Sequence, residues 1–323
     1  PSISISFKCP VSSVDSEMQD DVVSRIDFGF LSLTREDVVD GIKRLKSSHK
    51  SDCDGLCSFF LKECMHTVAF ALLRIFNQSL ESGIFIDSWK VAYVTPIHKS
   101  GSKNNVKNYR PISKLSTISK LFESIVKVKL FFAVKNIISP YQHGFMPGRS
   151  TVSNLVIFSE YCLSTFLKGY QVDVVYTDFS KAFDKVSHFL LVKKLRRMGF
   201  HSSFLSWISS YLSNRQCIVA FDNVKSFPYV ATSGVPQGSI LGPLLFILFI
   251  NDITFLFHHS NCLLYADDLK IFRKVKNAPD YEFIQSEIDK LNDWCCKNCL
   301  FLNLEKCVFM SYSRSVIVSY CHF

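Results

Sequence analysis

From Ser88 to Phe122 this 323-residue chain has no acidic residue, whereas Lys90, Lys99, Lys103, Lys107, Arg110, Lys114 and Lys120 all fall there. A generic solvated face mixes its signs, so this gap points to a polyanionic partner whose path the basic run lines. The net charge of the whole chain, +9, has the same sign. Also missing is a long apolar run. LGPLLFILFINDITFLF is interrupted by Pro243 and by Asn251-Asp252, which leaves only Leu244 to Ile250 unbroken. That is far short of the roughly 20 residues a bilayer needs, so a buried core helix is expected and no membrane partner. No basic start leads into an apolar stretch with a cleavage site, so no secretory signal is evident, and an intracellular setting in cytoplasm or nucleus is expected. Without export, the twelve cysteines are expected to be reduced and packed. Cys295, Cys296, Cys299 and Cys307 cluster, but they lack the second CxxC or paired histidines of a zinc finger. Neither an initiating Met nor a clear terminal stop is present, and a fragment of a longer protein is expected.

What is there reads as irregularly alternating helices and strands. Thr34 and Asp37 resemble a capping box, with Val38, Ile42 and Leu45 on one face of the helix that follows. FFLKECMHTVAFALLRIFNQSL predicts one long amphipathic helix, WKVAYVTPIHKSG a strand entering a basic turn, and Ile118 to Val134 another helix. YQHGFMPGRS is a loop punctuated by Gly and Pro. VDVVYTD predicts a strand, NCLLYADDLKIF a hairpin, Tyr281 to Cys295 a helix, and Lys306 to Tyr312 a last strand. This mixture predicts an α+β fold with helices layered on an antiparallel sheet.

The hairpin carries Asp267 and Asp268 side by side between apolar runs. Acids at a turn are common, because Asp suits turn geometry. Two carboxylates this close, however, resist joint ionisation unless a cation neutralises them. A divalent ion needs a third oxygen donor, and Asp178 is the candidate, since it closes VDVVYTD as Asp267 closes CLLYAD. Three carboxylates around one or two Mg2+ ions, held about 4 Å apart, suit phosphoryl transfer.

HKSGSKNNVKNYRPIS, GFMPGRST, YTDFSKAFDKVSH, SGVPQGSILGPLLFILFINDI and LLYADDLKIF, in that order, resemble reverse transcriptases of the non-LTR, LINE-like branch, close to the jockey type. The resemblance implies right-hand polymerase fingers and palm, an antiparallel palm sheet backed by helices, and a thumb largely absent. It implies residues 1–78 as an N-terminal lead-in and 79–323 as a reverse transcriptase domain truncated at its C-terminal end. Asp178, Asp267 and Asp268 then match the metal-binding aspartates of two Mg2+ ions, with Mn2+ as a substitute. Phe183, five residues after Asp178, matches the aromatic gate beneath the incoming sugar. Gln237 and Gly238 match positions against nucleotide and template, and Lys99 and Arg110 match cations that grip the triphosphate. Lys306 matches a lysine able to protonate the leaving pyrophosphate. The implied partners are an RNA template, a DNA primer and dNTPs, with an endonuclease upstream in the intact element but absent here. An intron-maturase-like polymerase and a catalytically inactive nucleic-acid-binding relic remain alternatives. Phe183 speaks against an RNA polymerase, which needs room for the 2′-hydroxyl.

Overall fold

The protein is described by a computed structural model. It describes Ile26, Phe28 and residues 31–314 other than 53, 223 and 278; the Ser- and Asp-rich start and the last residues of the chain lie outside this range. In chain order the elements begin with α1 (Arg35–Arg44), α2 (Ser58–Glu63), α3 (Met65–Ser82), β1 (Val91–His98), β2 (Tyr109–Lys114) and α4 (Thr117–Val134). Then come α5 (Thr151–Phe166), β3 (Gln171–Thr177), α6 (Ala182–Lys185), α7 (His188–Arg197), α8 (Ser202–Leu212) and β4 (Arg215–Phe221). The chain continues with β5 (Val224–Lys225), β6 (Tyr229–Ala231), α9 (Gly242–Ile250), β7 (Asn261–Tyr265), β8 (Asp268–Val275), α10 (Pro279–Asn298) and β9 (Val308–Tyr312).

These elements form two compact units that interleave along the chain. Of the described residues, one unit contains 138–185 and those from 249 on; the other contains those up to 137 and 186–248. The first is built on a fully antiparallel sheet in the order β7-β8-β3-β9. Its central strand β3 reads QVDVVYT, β-branched and buried along nearly its whole length, as a strand between two neighbours requires. Helix α5 packs on this sheet through Phe158 and Cys162, which meet Val172, Val174, Leu263 and Phe272.

The second unit holds a sheet in the order β2-β1-β4-β5, with β6 also on β4. Here β1 and β4 run parallel, an exception to the antiparallel pairing expected from sequence. Its helical core is aromatic: Phe76 and Phe122 stack at 4.3 Å, and Phe85, Trp89, Trp207 and Tyr211 surround them with edge and face contacts. Such offset and T-shaped pairs add to the burial of large rings.

Most predicted elements are present. The Thr34–Asp37 capping box opens α1. The single helix expected over Phe59–Leu80 is two, α2 and α3, because Cys64 leaves helical geometry at φ −95°, ψ 16°. Lys306 lies in a short 3-10 turn, Leu304–Lys306, before β9 rather than in the strand itself. Leu244 to Ile250 are buried throughout, and no helix among the described residues is long and apolar enough to cross a membrane. Among the described residues no cysteine is in a disulfide.

Candidate active site

The site starts from strand register. Thr177 pairs with Leu269, and its hydroxyl also donates to the Leu269 carbonyl at 3.1 Å. One step further, Asp178 leaves β3 across from Asp268, the first residue of β8. The neighbour that brings the acids together is therefore β8, not the CLLY strand β7. Tyr265 pairs with Asp268, so Ala266 and Asp267 form a two-residue hairpin turn. Turns this tight ask for positive φ, and Ala266 adopts φ +57°. A non-glycine residue in that region is strained, and such strain clusters at functional sites.

Beyond Asp178 the chain stays close to residues 301–303. Ser180 N–H donates to the Phe301 carbonyl at 2.8 Å, and Asn303 N–H donates to the Asp178 carbonyl at 2.7 Å. This contact carries the 3-10 turn to the site, where Lys306 Nζ donates to Asp178 Oδ2 at 2.8 Å. Asp178, Asp268 and Lys306 line one cleft of about 390 Å³ together with Asn154, Tyr176 and Lys270.

The electrostatics follow from crowding. Burial raises the Asp267 carboxyl above its ordinary 3.8, and repulsion from Asp268 and Asp178 raises it further. Asp268 is raised by burial and by Asp178. Lys306 is held above its usual value chiefly by its hydrogen bond to Asp178. Among the described residues no three carboxylate, imidazole or thiol groups close into a ready-made metal cage. The ammonium of Lys306 takes up part of the charge instead.

Phe183 lies in α6, half-buried, with its ring edge-on to Phe145 at 6.1 Å between centroids and 78° between planes. Asp178, Asp267, Asp268, Lys306 and Phe183 thus all belong to the first unit. The remaining sequence candidates fall in the second. Lys99 and Arg110 are exposed at the loop end of the β1–β2 hairpin, where Lys99 N–H donates to the Asn108 carbonyl at 2.8 Å. Gln237 accepts from Ser113 N–H at 3.1 Å through its carbonyl, which seats the PQG turn on β2. Gly238 is required there. Its φ is +96°, and a Cβ would lie 2.5 Å from the Ser113 carbonyl oxygen. Lys90, counted in the basic run by sequence, does not line an exposed path: it is buried and paired with Asp87 at 2.8 Å.

Sequence reasoning missed two supports. Glu123 in α4 is completely buried and accepts from Ile240 N–H at 2.8 Å and Leu241 N–H at 3.1 Å, just after the PQG turn. Gln142, in the loop read only as Gly/Pro-punctuated, contacts the hairpin turn that carries Asp267. Gly144 lies so close that a Cβ would fall 2.2 Å from Ala266 N. A lone Gln in a loop punctuated by Gly and Pro is a weak signal, and periodicity cannot find it.

Residues 97–319 match a family described as reverse transcriptase (RNA-dependent DNA polymerase). Among curated proteins the chain is 31% identical over 284 residues to the probable RNA-directed DNA polymerase from transposon BS of Drosophila melanogaster, across 84% of this chain and 31% of that protein. It is 29% identical over 254 residues to the RNA-directed DNA polymerase from mobile element jockey of the same species, across 75% of this chain and 28% of that protein. The chain therefore spans about a third of the length of the curated relatives it matches. Among solved structures, an apo telomerase from Candida tropicalis, truncated from its C-terminal domain, superposes with a TM-score of 0.51 at 13% identity. The match covers 77% of this chain and 56% of that one, a likeness of fold.

Proposed function

The chain belongs to the reverse transcriptase family of RNA-dependent DNA polymerases, and on that premise we propose that it is the polymerase portion of a non-LTR retrotransposon protein. It extends a DNA primer on an RNA template by two-metal nucleotidyl transfer from dNTPs. The observation that carries this reading is the crowding of Asp178, Asp267 and Asp268 at facing strand ends, which raises Asp267 and Asp268 above the ordinary carboxylate range. In this reading residues 79–323 are the fingers and palm, with the first unit's antiparallel sheet as palm, and residues 1–78 are an extension. Packing of α1 on α4 and α3 on α8 supports an extension that docks on the polymerase rather than a loose leader.

The donor set suits Mg2+, or Mn2+ in its place, because all three groups offer hard carboxylate oxygens and Lys306 offsets only part of their charge. Mg2+ prefers a few carboxylates plus substrate phosphates and water to an all-protein cage. When bound, the metal pair supplies activation of the attacking hydroxyl and stabilisation of the leaving oxygen. The remaining work belongs to the chain. Arg110 offers a bidentate fork and Lys99 a point charge to the triphosphate. Gln237 and Gly238 present the PQG backbone to nucleotide and template. Lys306 gives up its hold on Asp178 and protonates the leaving pyrophosphate as general acid. Primer extension on an RNA template with Mg2+, comparing dNTPs with rNTPs, tests the whole reading. Primer-template binding without any extension would leave only the nucleic-acid-binding relic.

Two consequences are separable. Phe183→Val is expected to lower discrimination against ribonucleotides about tenfold to a hundredfold, because the clash with the 2′-hydroxyl disappears. The measurement is kcat/KM for a dNTP and its matching rNTP in both proteins; unchanged discrimination would make Phe183 a packing residue. Lys306→Ala is expected to lower kcat about a hundredfold through the lost proton donor. The same variant should reach half-maximal rate at less Mg2+, since Asp178 no longer has a competing cation. A kcat within threefold of wild type would remove the proton-donor role.

A further inference from the structure

We infer that Gln142 is a positioning residue for the aspartate-bearing turn, acting through the strained backbone of Ala266. This rests on the reading of Asp267 and Asp268 as metal ligands. Gln142 is 2% exposed, and its side-chain amide behaves as an extra peptide group. Its Oε1 accepts from Ala266 N–H at 2.9 Å and from Gly144 N–H at 2.8 Å. Its Nε2 donates to the Ala266 carbonyl at 3.5 Å. Both backbone polar groups of the one residue with left-handed φ in the turn are thus met by a single side chain. A two-residue turn leaves its first amide without a ladder partner, and a buried orphan amide is costly. Gln142 removes that cost only while Ala266 holds φ +57°, the conformation that aims Asp267 and Asp268.

The loop around Gln142 is itself locked to the hairpin. His143 N–H donates to the Leu264 carbonyl at 2.8 Å, and Leu264 N–H donates to the Tyr141 carbonyl at 2.9 Å. Asn154 Nδ2 adds a second donor to the Leu264 carbonyl at 3.2 Å. Gly144 permits the approach, since any side chain there would collide with the turn backbone. The next residue, Phe145, also has positive φ, at +57°, and its ring meets Phe183. One loop therefore touches both the acid-bearing turn and the ring assigned to the sugar.

The test uses the whole chain. In the metal-free wild type the Ala266 amide should be protected from hydrogen exchange; exchange at the rate of an open loop would overturn the inference before any variant is made. Gln142→Met keeps the bulk and removes the acceptor, and should speed exchange at Ala266 and Gly144 about tenfold or more. It should weaken Mn2+ binding, followed by electron paramagnetic resonance with the metal alone, about tenfold. It should also lower kcat about tenfold to a hundredfold, with KM for dNTP within threefold. A general loss of packing would not be cured locally, whereas Ala266→Gly in the same background accepts positive φ without strain and should recover part of the Mn2+ affinity. Unchanged Mn2+ affinity in Gln142→Met, or no recovery on adding Ala266→Gly, overturns the positioning role. Failure of the wild type to bind Mn2+ would overturn the ligand reading itself, while the exchange measurement still judges the clamp.

Discussion

Asp268→Asn is expected to abolish nucleotide incorporation, with a loss on the order of a thousandfold or more, and at the same time to raise the melting temperature of the metal-free chain. Removal of a single electrostatic stabiliser commonly costs 10²- to 10³-fold, and a carboxylate that helps hold metal should cost no less. The gain in stability comes from the same crowding. Asp268 and Asp267 are held above the ordinary 3.8 in the folded chain by burial and by neighbouring carboxylates. Between that value and the raised one, the folded chain binds more protons than the unfolded chain. Stability without metal is therefore lost as pH rises through the window and retained below it. The Asn variant lacks one of the repelling charges, so its advantage should be present at neutral pH and vanish below about 3.8. Single-nucleotide incorporation and thermal melts at two pH values are the measurements. A variant that melts lower than wild type at neutral pH would mean that Asp268 stabilises the fold and carries no unmet charge.

Glu123→Ala is expected to destabilise the chain by roughly 3–5 kcal/mol, the usual cost of breaking a buried charge pair from one side. Four donors lose their acceptor: the amides of Ile240 and Leu241, the Tyr211 hydroxyl at 3.3 Å and the Ser119 hydroxyl at 3.3 Å. Arg215, almost fully buried and bonded through Nη1 to the Tyr211 carbonyl at 3.1 Å, loses the charge that offsets its own. Burial pushes the Glu123 carboxyl upward, and Arg215 with the two amides pulls it back. Glu123→Gln keeps one acceptor oxygen and should cost less than the alanine. Denaturant midpoints for the three proteins check the order. A cost below about 1 kcal/mol for the alanine would show that water or a neighbouring side chain replaces the carboxylate.

Legibility from sequence follows the range of the forces involved. The YADD hairpin is readable because its two apolar runs flank a two-residue turn, and both signals are local. Asp178 is readable because an acid closing a β-branched run is a local contradiction that a second pair of acids resolves. Helix α5 is hard to read because Val152, Leu155, Val156 and Leu163 stay exposed, so its apolar residues mark no single buried stripe. The break at Cys64 is invisible to periodicity, which continues from α2 into α3. Lys90 looks like its basic neighbours until its pairing with Asp87 and its burial are seen. Glu123 and Gln142 are single polar letters whose backbone partners after the PQG turn and in the acid-bearing hairpin lie more than a hundred residues away. Nothing near them in the chain announces that they are buried.

The order of the strands in the first sheet has a consequence for synthesis on the ribosome. Strand β3 is central, yet its partners β8 and β9 both follow it, and Thr177 lies 92 residues before Leu269. At about 5–20 residues per second, β3 waits on the order of 5 to 20 seconds after emerging before its first neighbour is translated. During that interval the apolar segment VDVVYT has two unsatisfied edges, the arrangement most prone to pairing with another chain. The intervening residues 186–248 belong to the other unit, so they cannot complete this sheet. Nascent chains stalled between β3 and β8 should therefore need a chaperone to stay dispersed, and those released after β9 should not.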